Sequence, residues 1–391
     1  MSEPLELTLP SVDVRAVRRH LGAALGKLVR DLQRLPLRGD AAEMSDARAV
    51  LGVLGPLSRG QPGLVWSALR RPSIYVHLRL AADAMPGAAD HLRVGLATLA
   101  AELGASAALE TPLRLERPPS RLIVRSRREV ATLDPALPLT IGRDGSLSQG
   151  GRACETAVAF EPLSPSIALA LVDDNPLSSY EAHPDKAGSE LDLGGAAPAR
   201  WVASLRDALA RIERYLPLHR QELEVVLSEI VPVGTDDERH LSASYREALG
   251  VIYVSLHPDP LTMTEAVVHE AQHNKLNAVL TVDPLLENDP TERYRSPVRP
   301  DPRPLLGVLL AVHAFVPVAL LYAAMHEAAD PLVGSERVRE RMRQIVRINQ
   351  EGLELLEAHA RPSSSGRELL GELRALHGQG VRRLAALSGA A

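Results

Sequence analysis

The sequence predicts an α+β fold, mostly helical with a small sheet, and a metal site held between two buried helices. Three observations predict it. Apolar residues recur at three-and-four spacing through most of residues 11–110. Short β-type runs bounded by Pro, Gly and Asp follow. Two strongly apolar helical stretches then lie in the second half, and the first carries HEAQH. The chain divides into an N-terminal helical region (1–115), an α+β core carrying the HExxH helix (116–330) and C-terminal amphipathic helices (331–391).

In VDVRAVRRHLGAALGKLVRDLQRL, the residues Val14, Val17, Leu21, Leu25, Leu28 and Leu32 fall on one helical face. MSDARAVLGVLGPLSRG and AADHLRVGLATLAAELGA repeat the pattern. From about residue 111 the runs RLIVRSRREV, AVAFEPL and IALALVDD read as strands, with long loops at 133–155 and 182–199. ARWVASLRDALARIERYL reads as a helix, and ELEVVLSEIVPV and LGVIYVSL read as strands. The charged SERVRERMRQIVRINQEGLELLEAHA is an outer amphipathic helix.

Composition narrows the function classes. With 45% apolar and 24% charged residues the chain reads as a soluble globular protein. The net charge of −5 and pI near 6.2 argue against a nucleic-acid partner, which calls for a basic patch. The single cysteine, Cys154, rules out an intramolecular disulfide and a multi-cysteine zinc site. It reads as an incidental thiol in a reducing compartment. MSEPLELTLPSVDVRAVRRH carries early acids and no secretory apolar core, so a cytoplasmic location is expected. Residues 305–325, LLGVLLAVHAFVPVALLYAAM, are long enough to span a membrane, but they contain His313 and Pro317 and stand alone. A buried core helix is expected there, with no membrane partner.

The chemistry concentrates in PDPLTMTEAVVHEAQHNKLNAVL. Thr262 is an expected N-cap with Glu265 three residues on, and Asp283-Pro284 marks the far end. At i and i+4, His269 and His273 share one face and can aim both imidazoles at one ion. Glu270 lies roughly 80° round from the midline of that face. A chain of this composition shows the pattern by chance about 0.05 times, and apolar neighbours bury the pair. A third ligand is needed. Candidates are the loop acids Asp283, Glu287, Asp289, Glu292 and Asp301, or His313 on the apolar helix, which Asp301 and Pro302 are expected to start. His326 and Glu327 lie roughly 20 Å further along that helix, too far for the same ion.

Two chemistries fit. In a zinc metallopeptidase Glu270 is the general base on a metal-bound water, and LGVIYVSL could serve as an edge strand for a peptide. The metzincin extension is missing, because NKLNAVLTVD follows His273. In an Fe(II) oxygenase the histidines hold one face of the iron, and a 2-oxo acid needs an arginine for its distal carboxylate. ERYRSPVRPDPRPLLG offers Arg293, Arg295, Arg299 and Arg303.

The run from HEAQHNKLNAVL through RYRSPVRPDPRPLLGVLLAVHAFVPVALLY resembles the HExxH-motif peptide-modification proteins that accompany ribosomally made, post-translationally modified peptides. The upstream LVDDNPLSSYEAHPDKAGSELDLGG is also similar to that family, so the likeness spans about residues 165–325. The resemblance implies an Fe(II)- and 2-oxoglutarate-dependent β-hydroxylase acting on a precursor peptide. It implies iron on His269 and His273 with His313 as third ligand, and Arg299 or Arg303 facing the 2-oxoglutarate carboxylate. Glu270 then supports the iron site and is not a hydrolytic base. Val298 stands where that family commonly has an aromatic, and Tyr294-Arg295 replaces a paired aromatic. Upstream, Asp173, Asp174, Glu181, His183, Asp185 and Lys186 crowd one loop, either as a self-bonded cap or as a peptide-contacting surface. A metal-free leader-binding protein is the remaining class.

Overall fold

The computed structural model describes residues 5–35, 40–106, 108–173, 175, 191–238 and 240–388. The described residues form eleven α-helices and three small sheets, an α+β arrangement dominated by helix. The helical front is α1 (Arg15–Gln33), α2 (Ala41–Gly60), α3 (Pro62–Leu69), α4 (Pro72–Ala82) and α5 (Ala88–Ala105). Asp40 caps α2 through a complete capping box with Glu43.

Two antiparallel sheets follow. One orders β1 (Leu113–Leu115), β4 (Leu139–Ile141), β5 (Leu147–Gln149) and β6 (Arg152–Ala153). The other orders β2 (Arg121–Val124), β3 (Glu129–Thr132) and β7 (Thr156–Val158). Residues 133–155 therefore hold three strands where the sequence suggested a loop. The runs are too short to show a period, yet buried Leu139, Ile141 and Leu147 supply an apolar face.

The third sheet positions the site. It orders β11 (Ser242–Ala243), β12 (Val251–Leu256), β10 (Glu229–Thr235), β9 (Ala168–Ala170) and β8 (Phe160–Pro162), with β9, β10 and β12 parallel. Helices α6 (Pro198–Tyr215) and α7 (Pro217–Val226) precede β10. The segment ELEVVLSEIVPV is thus divided: its first half closes α7, because Leu223 and Val226 at i and i+3 pack inward, and only the second half is strand. LGVIYVSL is flanked by β10 and β11, so the edge beside the motif helix is β11 and not that strand.

The motif helix α8 (Pro260–Leu280) folds back along β12. Asp259 caps it, accepting from Leu261 N at 2.9 Å, with Pro260 at the first position. Thr262 is not the cap, because a proline with fixed φ already starts the helix two residues earlier. Helix α9 (Leu305–Glu327) begins after Pro304, not at Asp301, whose carboxylate pairs with Arg303 at 3.2 Å. Of its most apolar 18-residue window, 78% is buried within the protein, so α9 is a core helix. Helices α10 (Glu336–His359) and α11 (Ser364–Ser388) pack on α9. One apolar core runs from Val17 of α1 to Ile348 of α10, so front, centre and C-terminal regions share a core.

The segment Leu5–Thr8 threads between helices as a strap. Leu5 N donates to Glu368 and Leu5 O accepts from His20. Leu7 N and Thr8 N donate to the two oxygens of Glu372 at 3.1 and 2.9 Å. Leu7 O meets His313 Nε2 at 2.9 Å, and Thr8 O accepts from Lys275 Nζ at 3.1 Å. These side chains satisfy backbone groups that would otherwise be buried without partners.

Candidate metal centre

On α8 the rings of His269 and His273 stand nearly perpendicular, with their Nε2 atoms 3.1 Å apart. Two nitrogens about 2.0–2.1 Å from one ion lie about 2.8–3.4 Å apart when they subtend anything from a right angle to a tetrahedral angle. The pair fits that requirement. Among the described residues, one group of three donor side chains has its ligand atoms within 4.8 Å of one another: His269, Glu270 and His273. Burial and the neighbouring His273 hold the His269 pKa well below the usual imidazole value, which keeps the ring neutral, the form a metal binds.

Glu270 is 3% exposed. Its Oε1 accepts from Ser242 Oγ on β11 at 2.7 Å, while Oε2 is buried without a partner. Gln272, fully buried one residue before His273, has neither amide atom hydrogen-bonded. Phe315 of α9 packs edge-on against His269 at 4.5 Å between ring centroids and forms an apolar wall. Arg341 of α10 stacks its guanidinium 5.5 Å from the Phe315 centroid and pairs with Glu265, which also accepts from Tyr322 OH. Arg341 and His240 both act electrostatically on His269, and spacing along the chain flags neither.

His240 precedes β11. Its Nδ1 lies 3.4 Å from Ser255 Oγ, and its Nε2 is buried without a partner. Burial and the neighbouring His257 lower its pKa to about 4. His313 is fully buried on α9, outside the three-residue group. Its Nε2 is held by Leu7 O and its Nδ1 has no partner; burial first of all depresses its pKa to about 3.

The loop acids are engaged locally. Asp283 accepts from Leu285 N and Ser363 Oγ, Asp289 from Thr291, and Glu292 from Tyr294 OH. Arg303 pairs with Asp301, and its backbone bridges Tyr294 in both directions at 2.8 Å. Arg299 N sits 3.2 Å from Ser296 Oγ. Of the upstream acidic loop, Asp173 is described: it accepts from Tyr253 OH at 2.9 Å, and burial raises its pKa. Asp174, Glu181, His183, Asp185 and Lys186 lie outside the described residues. The chain matches no family model and no curated protein.

Proposed function

We propose that this protein is an Fe(II)- and 2-oxoglutarate-dependent β-hydroxylase of a ribosomally made precursor peptide, working in the cytoplasm. The observation that carries the metal part is the convergence of His269 and His273 Nε2 at 3.1 Å on a buried helix. The resemblance of HEAQHNKLNAVL and RYRSPVRPDPRPLLG to HExxH peptide-modification proteins supports iron and 2-oxoglutarate over zinc.

In this reading His269 and His273 hold the iron, and the resemblance offers His313 as the third donor. When bound, the iron and its co-substrate supply the oxidation of an unactivated C–H bond, which no amino-acid side chain can perform. The protein's own contributions are positional. Ser242 fixes Glu270, so that the bare Oε2 can accept a hydrogen bond from a group near the metal. Phe315 keeps water from the His269 side. Arg299 or Arg303 receives the distal carboxylate, for which a bidentate guanidinium is suited. Arg341 is the guanidinium whose charge reaches His269, but Glu265 already holds it.

A second reading, zinc peptide hydrolysis, rests on the same bare Glu270 Oε2, which suits a general base. One experiment separates the two. Metal-free protein is loaded with Fe(II) without oxygen and then given 2-oxoglutarate. A new visible charge-transfer band that is lost in His269→Ala is expected. Tight zinc binding with no such band overturns the hydroxylase reading.

A further inference from the structure

We propose that His240, delivered by the approach to edge strand β11, is the third nitrogen donor of the metal centre. The inference rests on the reading that His269 and His273 hold a metal. It departs from the expectation that α9 supplies the third ligand through His313.

Strand geometry brings His240 to the site. Side chains two apart along an extended chain fall on one side. Ser242, two residues after His240, already reaches Glu270 at 2.7 Å. The register of β11 on β12 is pinned by Ser242 against Val254, by Ser255 N donating to Leu241 O and by Leu241 N donating to Ser255 Oγ. His240 is therefore directed to the side of the sheet on which Ser242 meets Glu270; like His313 it lies outside the group whose donor atoms fall within 4.8 Å of one another, so its ring moves in to bind.

The hydrogen bonding of the ring suits a ligand. A metal-bound imidazole commonly anchors one nitrogen on a fixed acceptor and offers the other to the ion. Ser255 Oγ accepts from Leu241 N at 2.8 Å, and its remaining lone pair is available to Nδ1–H of His240. In that tautomer Nε2 carries a lone pair, is buried, and has no partner. The Ser255 contact, at 3.4 Å, is long for a hydrogen bond, so it holds the ring only weakly in its present position.

His313 is oriented differently. Phe315 is the α9 residue that touches His269, and positions two apart on a helix point to different faces. The Nε2 of His313 meets Leu7 O, and the next carbonyl, Thr8 O, accepts from Lys275 Nζ. Lys275 projects from α8 about 140° from the midline between His269 and His273. The imidazole of His313 is held on that side by the Leu7 carbonyl.

The test uses the full chain and Co(II) as the probe. Affinity is read by competition with a chromophoric chelator, and coordination by the visible d–d spectrum. His240→Ala is expected to lower affinity by about 100-fold or more, beyond the 10–100-fold typical of residues that only support a ligand. Its d–d band should change, and free imidazole should restore both. Ser255→Ala is expected to cost about 10-fold. His313→Gln is expected to leave affinity within about threefold. Should His240→Ala and His240→Gln both bind Co(II) like the wild type while His313→Gln loses it, this assignment is overturned and the two-histidine metal reading stands. Wild-type protein that binds no Co(II) overturns both.

Discussion

Helix α8 presents two polar faces that have been buried in opposite ways. On one face His269, Glu270 and His273 crowd together, and Glu270 Oε2 is left without a partner. On the other, Lys275 is 1% exposed, and its Nζ donates to Glu222 at 2.6 Å and to Thr8 O at 3.1 Å. Glu222 also accepts from His219 at 3.0 Å. The second face ties the helix to α7 and the N-terminal strap, while Asn274, one turn on from Glu270, ties it to β12 through Gly250 N and Val251 O, both at 2.8 Å. The first keeps bonding capacity in reserve. Buried polar groups in folded proteins are mostly hydrogen-bonded, so the bare Glu270 Oε2 beside two converging imidazoles is the observation on which the proposed metal centre draws.

The largest expected effect lies on the structural face. Lys275→Ala leaves Glu222 buried with one cationic partner removed, and we expect a loss of about 3–5 kcal/mol in denaturant unfolding. If Lys275→Ala unfolds like the wild type, the contrast between the faces is wrong. His269→Ala is expected to abolish tight metal binding while leaving the metal-free melting temperature within a few degrees, checked by metal analysis and thermal scans. A large drop in stability would place the histidines on the structural side.

A third test uses acid. The His313 pKa is depressed to about 3, so the unfolded state binds a proton that the native state refuses between about pH 6.5 and 3. Stability of the metal-free protein therefore falls as pH drops through that window, by about 1.4 kcal/mol per pH unit from this residue. His313→Gln should flatten the slope by that amount in pH-dependent denaturant titrations; an unchanged slope refutes the assignment. The smallest effect is Ser242→Ala, expected to cost about 1 kcal/mol from one lost hydrogen bond to Glu270. It sharpens the comparison by showing how loosely the functional face can be held without harm.

How much of this was legible in the sequence follows from the range of each interaction. The helix carrying His269 and His273 and the apolar helix carrying His313 were readable, because a 3.6-residue period is local. The overall α+β class was readable for the same reason. The start of α8 was misjudged: Thr262 and Glu265 imitate a capping box, while Asp259-Pro260 begins the helix earlier. Glu265 instead pairs with Arg341, 76 residues away. His240, Ser242, Phe315 and Arg341 gather round the motif from β11, α9 and α10, and no spacing rule links them to it. LGVIYVSL lies inside the sheet and not at its edge, since strand order depends on pairing that a single run does not encode.

The strap has a consequence for how the protein is made. Leu7 and Thr8 leave the ribosome long before Glu372, which takes both their N–H groups and is separated from them by 365 and 364 positions. Until α11 emerges, those donors have no acceptor, and Lys275 lacks the carbonyl that Thr8 supplies. Between the emergence of α8 and that of α11, the nascent chain therefore carries Lys275 with Glu222 as partner and without the Thr8 carbonyl. Seating of this segment belongs among the last events of folding, after the helices around it have assembled.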